Sequence, residues 1–94
     1  MAASAIPHAA VHLTSGRSRL HRNQVTATLA LTPRNLDLEQ QVANTASQFR
    51  GVKEGPLSPQ LVLIFTGYTP ELAERCIRIL AKELEFSVDA VTHS

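Results

Sequence analysis

The chain has 94 residues, a net charge of +1, one cysteine, three Phe, one Tyr and no Trp. That length makes one domain, burying only about 60–65% of its unfolded surface around a core of Leu, Val, Ile and Ala. The single cysteine, Cys76, excludes an intrachain disulfide or a cysteine-based zinc cluster, and no apolar run reaches the ~20 residues of a membrane span, so the expectation is a soluble protein of the reducing cytoplasm.

Charge divides the chain. Residues 1–36 carry Arg17, Arg19, Arg22 and Arg34 and no acid, a charge of +4, whereas residues 37–94 carry five basic and eight acidic side chains, a charge of −3. This reads as a basic N-terminal arm over residues 1–23, flexible or hairpin-forming, ahead of a single α/β domain over residues 24–94. The first residues are rich in Ala, Ser and Arg and lack acid, which matches an organellar transit peptide in composition, but they lack the positive start and continuous apolar block of a secretory signal. Organellar targeting is therefore the alternative to the cytoplasm.

Ala9 to Thr14 alternates weakly, and with a turn at Ser15–Ser18 it is expected to pair with the next strand as a hairpin. Val25 to Leu31 alternates cleanly, with Val25, Ala27, Leu29 and Leu31 on one face and Thr26, Thr28 and Ala30 on the other, which predicts a strand with one buried face. Thr32-Pro33 offers a helix start, with Asn35 and Asp37 as competing caps. From Leu36 to Phe49, Leu38, Val42, Ala46 and Phe49 share a helical face, and Arg50-Gly51 is the expected stop. Val52 to Pro59 has no periodicity and reads as a loop. Leu61 to Phe65 is apolar throughout, which predicts a central strand covered on both faces in a parallel-type core.

Thr66-Gly67-Tyr68 then turns the chain, and Thr69-Pro70 opens a helix over Pro70 to about Phe86. Its expected inner stripe is Leu72, Cys76, Leu80 and Leu84, widened by Ala73, Ile77 and Ile79. Glu71–Arg75 and Glu74–Arg78 have the favourable acid-first spacing of four. Ser87 to Thr92 alternates and reads as a closing strand near an edge. The predicted class is α/β, with α+β as the alternative: a (β)βαβαβ order in which two helices pack on a three- or four-stranded mixed sheet. Through Gly67, Thr69, Pro70 and its hydrophobic pattern, the segment from residue 60 to 92 resembles the first βαβ half of thioredoxin-like proteins of the clock-protein KaiB kind. The loop has no CxxC, so the resemblance implies a scaffold and no thiol redox role.

Two sets of residues are candidates for binding. Thr66, Gly67, Tyr68 and Thr69 lie between a strand and a helix N-terminus, where backbone amides and three hydroxyls favour an anion or small ligand, although Thr69 is also a natural cap. Arg17, Arg19 and Arg22 form a basic cluster suited to nucleic-acid phosphates, without aromatic residues beside them for base stacking. His8 and His12 lack a third ligand, so no metal is expected, and no cofactor is expected either. Cys76 falls on the apolar stripe and reads as structural. No acid–base pair or nucleophile pattern is present, and the carboxylates of the second helix read as a solvated surface. The expected function is accordingly a small non-catalytic interaction or regulatory module, acting as a homodimer or as an adaptor for another protein. Nucleic-acid binding through the basic arm and ligand binding at residues 66–69 are the alternatives.

Overall fold

The computed structural model describes residues 6–17, 19, 20, 22–56 and 59–94. In chain order the elements are β1 (His8–Arg17), β2 (Asn23–Thr32), α1 (Leu36–Ala46), β3 (Val52–Glu54), β4 (Leu61–Thr66), α2 (Pro70–Leu84) and β5 (Ser87–His93). The strands form one mixed sheet in the order β3-β4-β2-β1-β5, and both helices pack on the same face of it. The start of the arm (residues 1–5), Ser18, His21 and residues 57–58 lie outside the described residues.

Alternation is what selects the covered face. Ala9, Val11 and Leu13 of β1, Val25, Ala27, Leu29 and Leu31 of β2, Leu61, Leu63 and Phe65 of β4 and Val52 of β3 are all buried. The residues between them point to the other face, because successive side chains of a strand alternate. β1 and β2 pair antiparallel along their whole length, from His8 opposite Thr32 to Arg17 opposite Asn23. Their reversal therefore falls after Arg17, beyond the Ser15–Ser18 turn that the sequence predicts. β2 then pairs antiparallel with β4, and β4 with β3. Only β5 pairs parallel, with β1, and its register shifts between Ala9 and Ala10.

These pairings make β2 and β3 run in the same direction, linked by α1, and β4 and β5 likewise, linked by α2. The result is the split βαβ arrangement of ferredoxin-like topologies, widened because β1 sits between β2 and β5. Two helices on a mixed sheet agree with the predicted class, but there are five strands where three or four were expected. The missed strand is β3, read from the sequence as loop. It has three residues, too few to display a period of two, and Gly55 and Pro56 end it at once. The parallel-type core is also corrected: β4 pairs antiparallel on both sides and lies next to an edge strand.

α1 buries its expected face through Leu38, Val42 and Ala46 but ends early, and α2 departs from part of its expected stripe. α1 is capped by Asn35, whose side chain accepts the Leu38 N–H at 3.0 Å, and it ends at Ala46. Phe49 therefore packs on the core from beyond the helix. In α2 the buried residues are Ala73, Ile77, Leu80 and Ala81, whereas Leu72 and Ile79 are 46% and 57% exposed. Positions i, i+4, i+7 and i+8 define this stripe, and the two alanines let the helix lie close on the sheet. Of the two acid-first pairs, Arg78 donates to Glu74 at 3.0 Å. Glu85 caps α2 in the left-handed conformation with φ of 61°, a geometry more often given to glycine. No helix is long and apolar enough to cross a membrane among the described residues.

Candidate functional site

The sheet carries the two predicted sets of site residues to the same end of the molecule. Arg17 ends β1, Arg19 lies in the connection and Arg22 precedes β2, all three exposed. The β4–α2 loop reaches the same end, because Gln24 pairs with Thr66 and the Gly67 N–H donates to the Asn23 carbonyl at 2.6 Å. A groove of about 180 Å³ lies between them, lined by Ser15, Gly16, Asn23, Gln24, Tyr68 and Thr69 among others.

Within that loop the polar groups have structural partners. Thr69 is the N-cap of α2, its hydroxyl accepting from the Leu72 N–H at 3.2 Å. The Tyr68 hydroxyl donates to the Arg50 carbonyl at 2.8 Å, and its ring packs edge-on against Phe65 at 5.2 Å. The Thr66 N–H donates to Gly51 at 2.8 Å, and that close approach explains the glycine. A Cβ at position 51, which has φ of 80°, would sit 2.6 Å from the Thr66 carbonyl oxygen. Gly67, with φ of 83°, supplies the left-handed turn out of β4. Cys76 is half-buried on α2. Burial raises its thiol above the ordinary value, only partly offset by the neighbouring Tyr68 hydroxyl, so the thiolate a nucleophile needs is disfavoured. Burial likewise raises Tyr68, with Cys76 adding to the shift.

The more extensive surface is one that sequence reasoning missed: the face of the sheet that no helix covers among the described residues. The pairing registers arrange its side chains in rows. Lys53, Ile64, Thr26 and Thr14 form one row across β3, β4, β2 and β1. Val62, Thr28, His12 and Thr92 form the next, across β4, β2, β1 and β5, and Ala30, Ala10 and Ala90 the third. Val62, Ile64, Thr26, Thr28 and Ala30 are each half-buried by their neighbours alone. The three alanines floor a shallow depression of about 220 Å³ bounded by His12, Thr28, Gln60 and Thr92. Val62 and Ile64 stand beside it as a ridge.

Charge lies only at the margins of this face. Lys53 is on the β3 edge, and near the β5 edge the Nδ1 of His8 lies 2.9 Å from Asp89 Oδ1. The Ser87 hydroxyl also donates to Asp89, at 3.2 Å. His8 holds the Asp89 carboxyl below the ordinary aspartate range, chiefly by that hydrogen bond. His12 sits inside the margin, its ring nitrogens 2.7 Å from Thr92 Oγ1 and 3.0 Å from Ser94 Oγ, and Thr14 Oγ1 lies 3.2 Å from the same Ser94 oxygen. These contacts fasten β5 to β1.

The chain's four aromatic residues all belong to the other side. Phe65 and Phe86 are buried, and Phe49 and Tyr68 pack against the core, so the open face offers no ring for stacking bases. Among the described residues no polar or charged side chain is buried, and no three of His, Cys, Asp and Glu converge as metal ligands would. The signal that could have revealed the open face is the unbroken apolar run of β4. It asks for cover on both faces, and two helices on one side supply it on only one. No protein-family model and no curated protein matches this sequence.

Proposed function

We propose that this protein is a small non-catalytic protein–protein interaction module whose working surface is the uncovered face of the sheet. The observation that supports this is β4. Leu61, Leu63 and Phe65 are buried beneath the helices, while Val62 and Ile64, equally apolar, stand on a face that has no cover among the described residues. An antiparallel strand with one face in water ordinarily alternates apolar and polar residues, and β4 departs from that alternation. Two features of the surroundings fit an interface, a centre without charged side chains and charges at the rim. A homodimer or an adaptor role both follow from such a surface.

The test is the double substitution Val62→Lys with Ile64→Lys. Two charges at the centre of a desolvated interface abolish association, while thermal unfolding of the isolated chain changes little because neither side chain contributes to the covered core. Partners bound by the full chain in a quantitative capture experiment should be lost from the variant. Undiminished association would remove this reading.

A second reading, nucleic-acid binding, is favoured by the gathering of Arg17, Arg19 and Arg22 at one end, together with the Thr66–Thr69 loop. Replacing the three arginines with alanine should then abolish a salt-dependent shift of DNA or RNA. With no aromatic residue on the open face, such binding would run through phosphates and carry little sequence preference. A wild-type chain that shifts neither nucleic acid at low salt would end that reading.

A further inference from the structure

We infer that the occupant of the open face is a second copy of this chain, packed sheet on sheet about a twofold axis lying diagonal to the strands. The inference rests on the reading of this face as an interaction surface and goes on to name its partner. Three features of the face point to self-association, and they agree on one geometry.

The first is shape. The Val62–Ile64 ridge lies on β4, on one side of the central strand β2, and the floor of Ala30, Ala10 and Ala90 begins at β2 and extends across β1 and β5. Ridge and floor are also offset along the strands, by roughly 10 Å on the two-residue repeat of a pleated strand. Adjacent strands are about 4.8 Å apart, so the offset across the sheet is of similar size. A twofold axis running about 45° from the strands, near Thr28, therefore lays the ridge of each copy into the floor of the other. Ile64 then meets the partner's Ala90 and Val62 meets the partner's Ala30. The same axis crosses the two sets of strands at about 90°, one of the two angles at which sheets prefer to pack.

The second feature is charge. Lys53 occupies the outer margin beside the Ile64 row, and Asp89 occupies the opposite outer margin beside the alanine row. The diagonal axis that seats the ridge also brings the Lys53 ammonium over the partner's Asp89 carboxylate, once on each side of the dimer. A twofold axis parallel to the strands aligns neither pair. Shape and charge therefore select the same operator, as an isologous interface requires.

The third is area. The five strands are about 4.8 Å apart and run from three to ten residues at roughly 3.3 Å each, which gives a sheet face of about 500–600 Å². Counted on both copies that clears the ~1,000 Å² of a small biological interface, and the face holds no charged side chain at its centre that would have to be desolvated.

The experiment is sedimentation equilibrium on the full chain and on a charge-reversal set. The wild type should be dimeric at micromolar concentration. Lys53→Glu alone and Asp89→Lys alone each place like charges across the interface and should weaken the dimer about tenfold or more. The double variant, Lys53→Glu with Asp89→Lys, restores opposite charges between copies and should recover most of the lost affinity. No other partner can produce that recovery, and both substitutions lie on the exposed rim, away from the core. A dimer that survives Ile64→Lys, or a double variant no tighter than the weaker single one, overturns the proposed geometry. A chain monomeric at about 1 mM, where even a free energy near 4 kcal/mol would show, overturns the second copy. In that case capture that still depends on Val62 and Ile64 leaves the interaction-module reading standing, and capture that ignores them ends both.

Discussion

The two faces of the sheet are built from the same strands and have opposite characters. On the covered face every buried strand residue is Ala, Val, Leu or Phe, and the helices add Leu38, Val42, Ala43, Ala46, Ala73, Ile77, Leu80 and Ala81. On the open face threonine, alanine and histidine alternate with them, and only Val62 and Ile64 are large and aliphatic. The covered face is filled by residues whose value is the apolar surface they remove from water, roughly 25 cal/mol per Å². The open face is graded, with two large aliphatic side chains set among small and hydroxyl-bearing ones. The contrast separates residues that make the fold from residues to which the proposed interaction assigns a role.

The neighbours Phe65 and Ile64 test that separation most severely. Phe65 is fully buried and anchors both the core and the Tyr68 ring, so Phe65→Ala should cost about 3–5 kcal/mol in a urea unfolding titration, a large part of a small domain's stability. Ile64→Ala, one residue along, should cost the isolated chain less than about 1 kcal/mol, because its side chain leaves no closed cavity behind. Its effect should appear in association instead. Comparable losses of monomer stability at the two positions would mean that the open face is as much a core as the covered one.

How far the two faces were legible in the sequence depends on the length of each pattern. β2, with its ten residues, shows its inner and outer sets directly, and the sequence assigned Thr26, Thr28 and Ala30 to the outer side. α2 was legible as an element, but its inner stripe was displaced in part. Ala73, Ile77 and Leu80 of the expected stripe are buried, but Leu72 and Ile79 are exposed and Ala81, a small residue that close packing favours, completes it. β3 was invisible because three residues carry no period. In β4 the apolar pattern predicts cover on both faces, but composition reports that a strand wants cover without saying what supplies it. The two predicted binding sets could be named from the sequence, but their meeting at one end depends on the β1–β2 and β2–β4 registers, which no local pattern encodes.

A smaller effect tests how the cover on the filled face is held. α1 contains Asn44 and Thr45, weak helix formers, and contributes Leu38, Val42, Ala43 and Ala46 to the core. Its start depends on Asn35, the residue that outcompeted Thr32 and Asp37. Asn35→Ala should cost about 1 kcal/mol in thermal or urea unfolding, and Asn35→Asp should cost little, since aspartate caps equally well and its charge suits a helix N-terminus. Asp37→Ala, outside the cap but in the first turn, should cost less, about 0.3–0.5 kcal/mol from its charge at the helix N-terminus. Equal losses at Asn35 and Asp37 would place the cap elsewhere and loosen the account of how α1 covers the sheet.

The smallest expected effect concerns the margin of the open face, where β5 is fastened to β1 in the sheet's single parallel pairing. The His8–Asp89 contact spans the register shift at Ala9 and Ala10, and Asp89 is held below its ordinary range mainly by that hydrogen bond. A carboxylate whose value is depressed in the folded state stabilises the fold above the unfolded value of about 3.9, and that contribution fades as pH falls through the folded value. Both side chains are half-exposed, so solvent screens the contact and the global transition should barely move. The local effect should be measurable by hydrogen exchange. In the wild type, β5 amides should lose protection relative to β2 as pH drops from about 4, after correction for the intrinsic exchange rate. In Asp89→Asn, β5 protection should be lower at neutral pH and should lack that acid-dependent step. A step of the same size in the variant would mean that another carboxyl governs the edge, with Glu74, 4.0 Å from His93, the next group to replace.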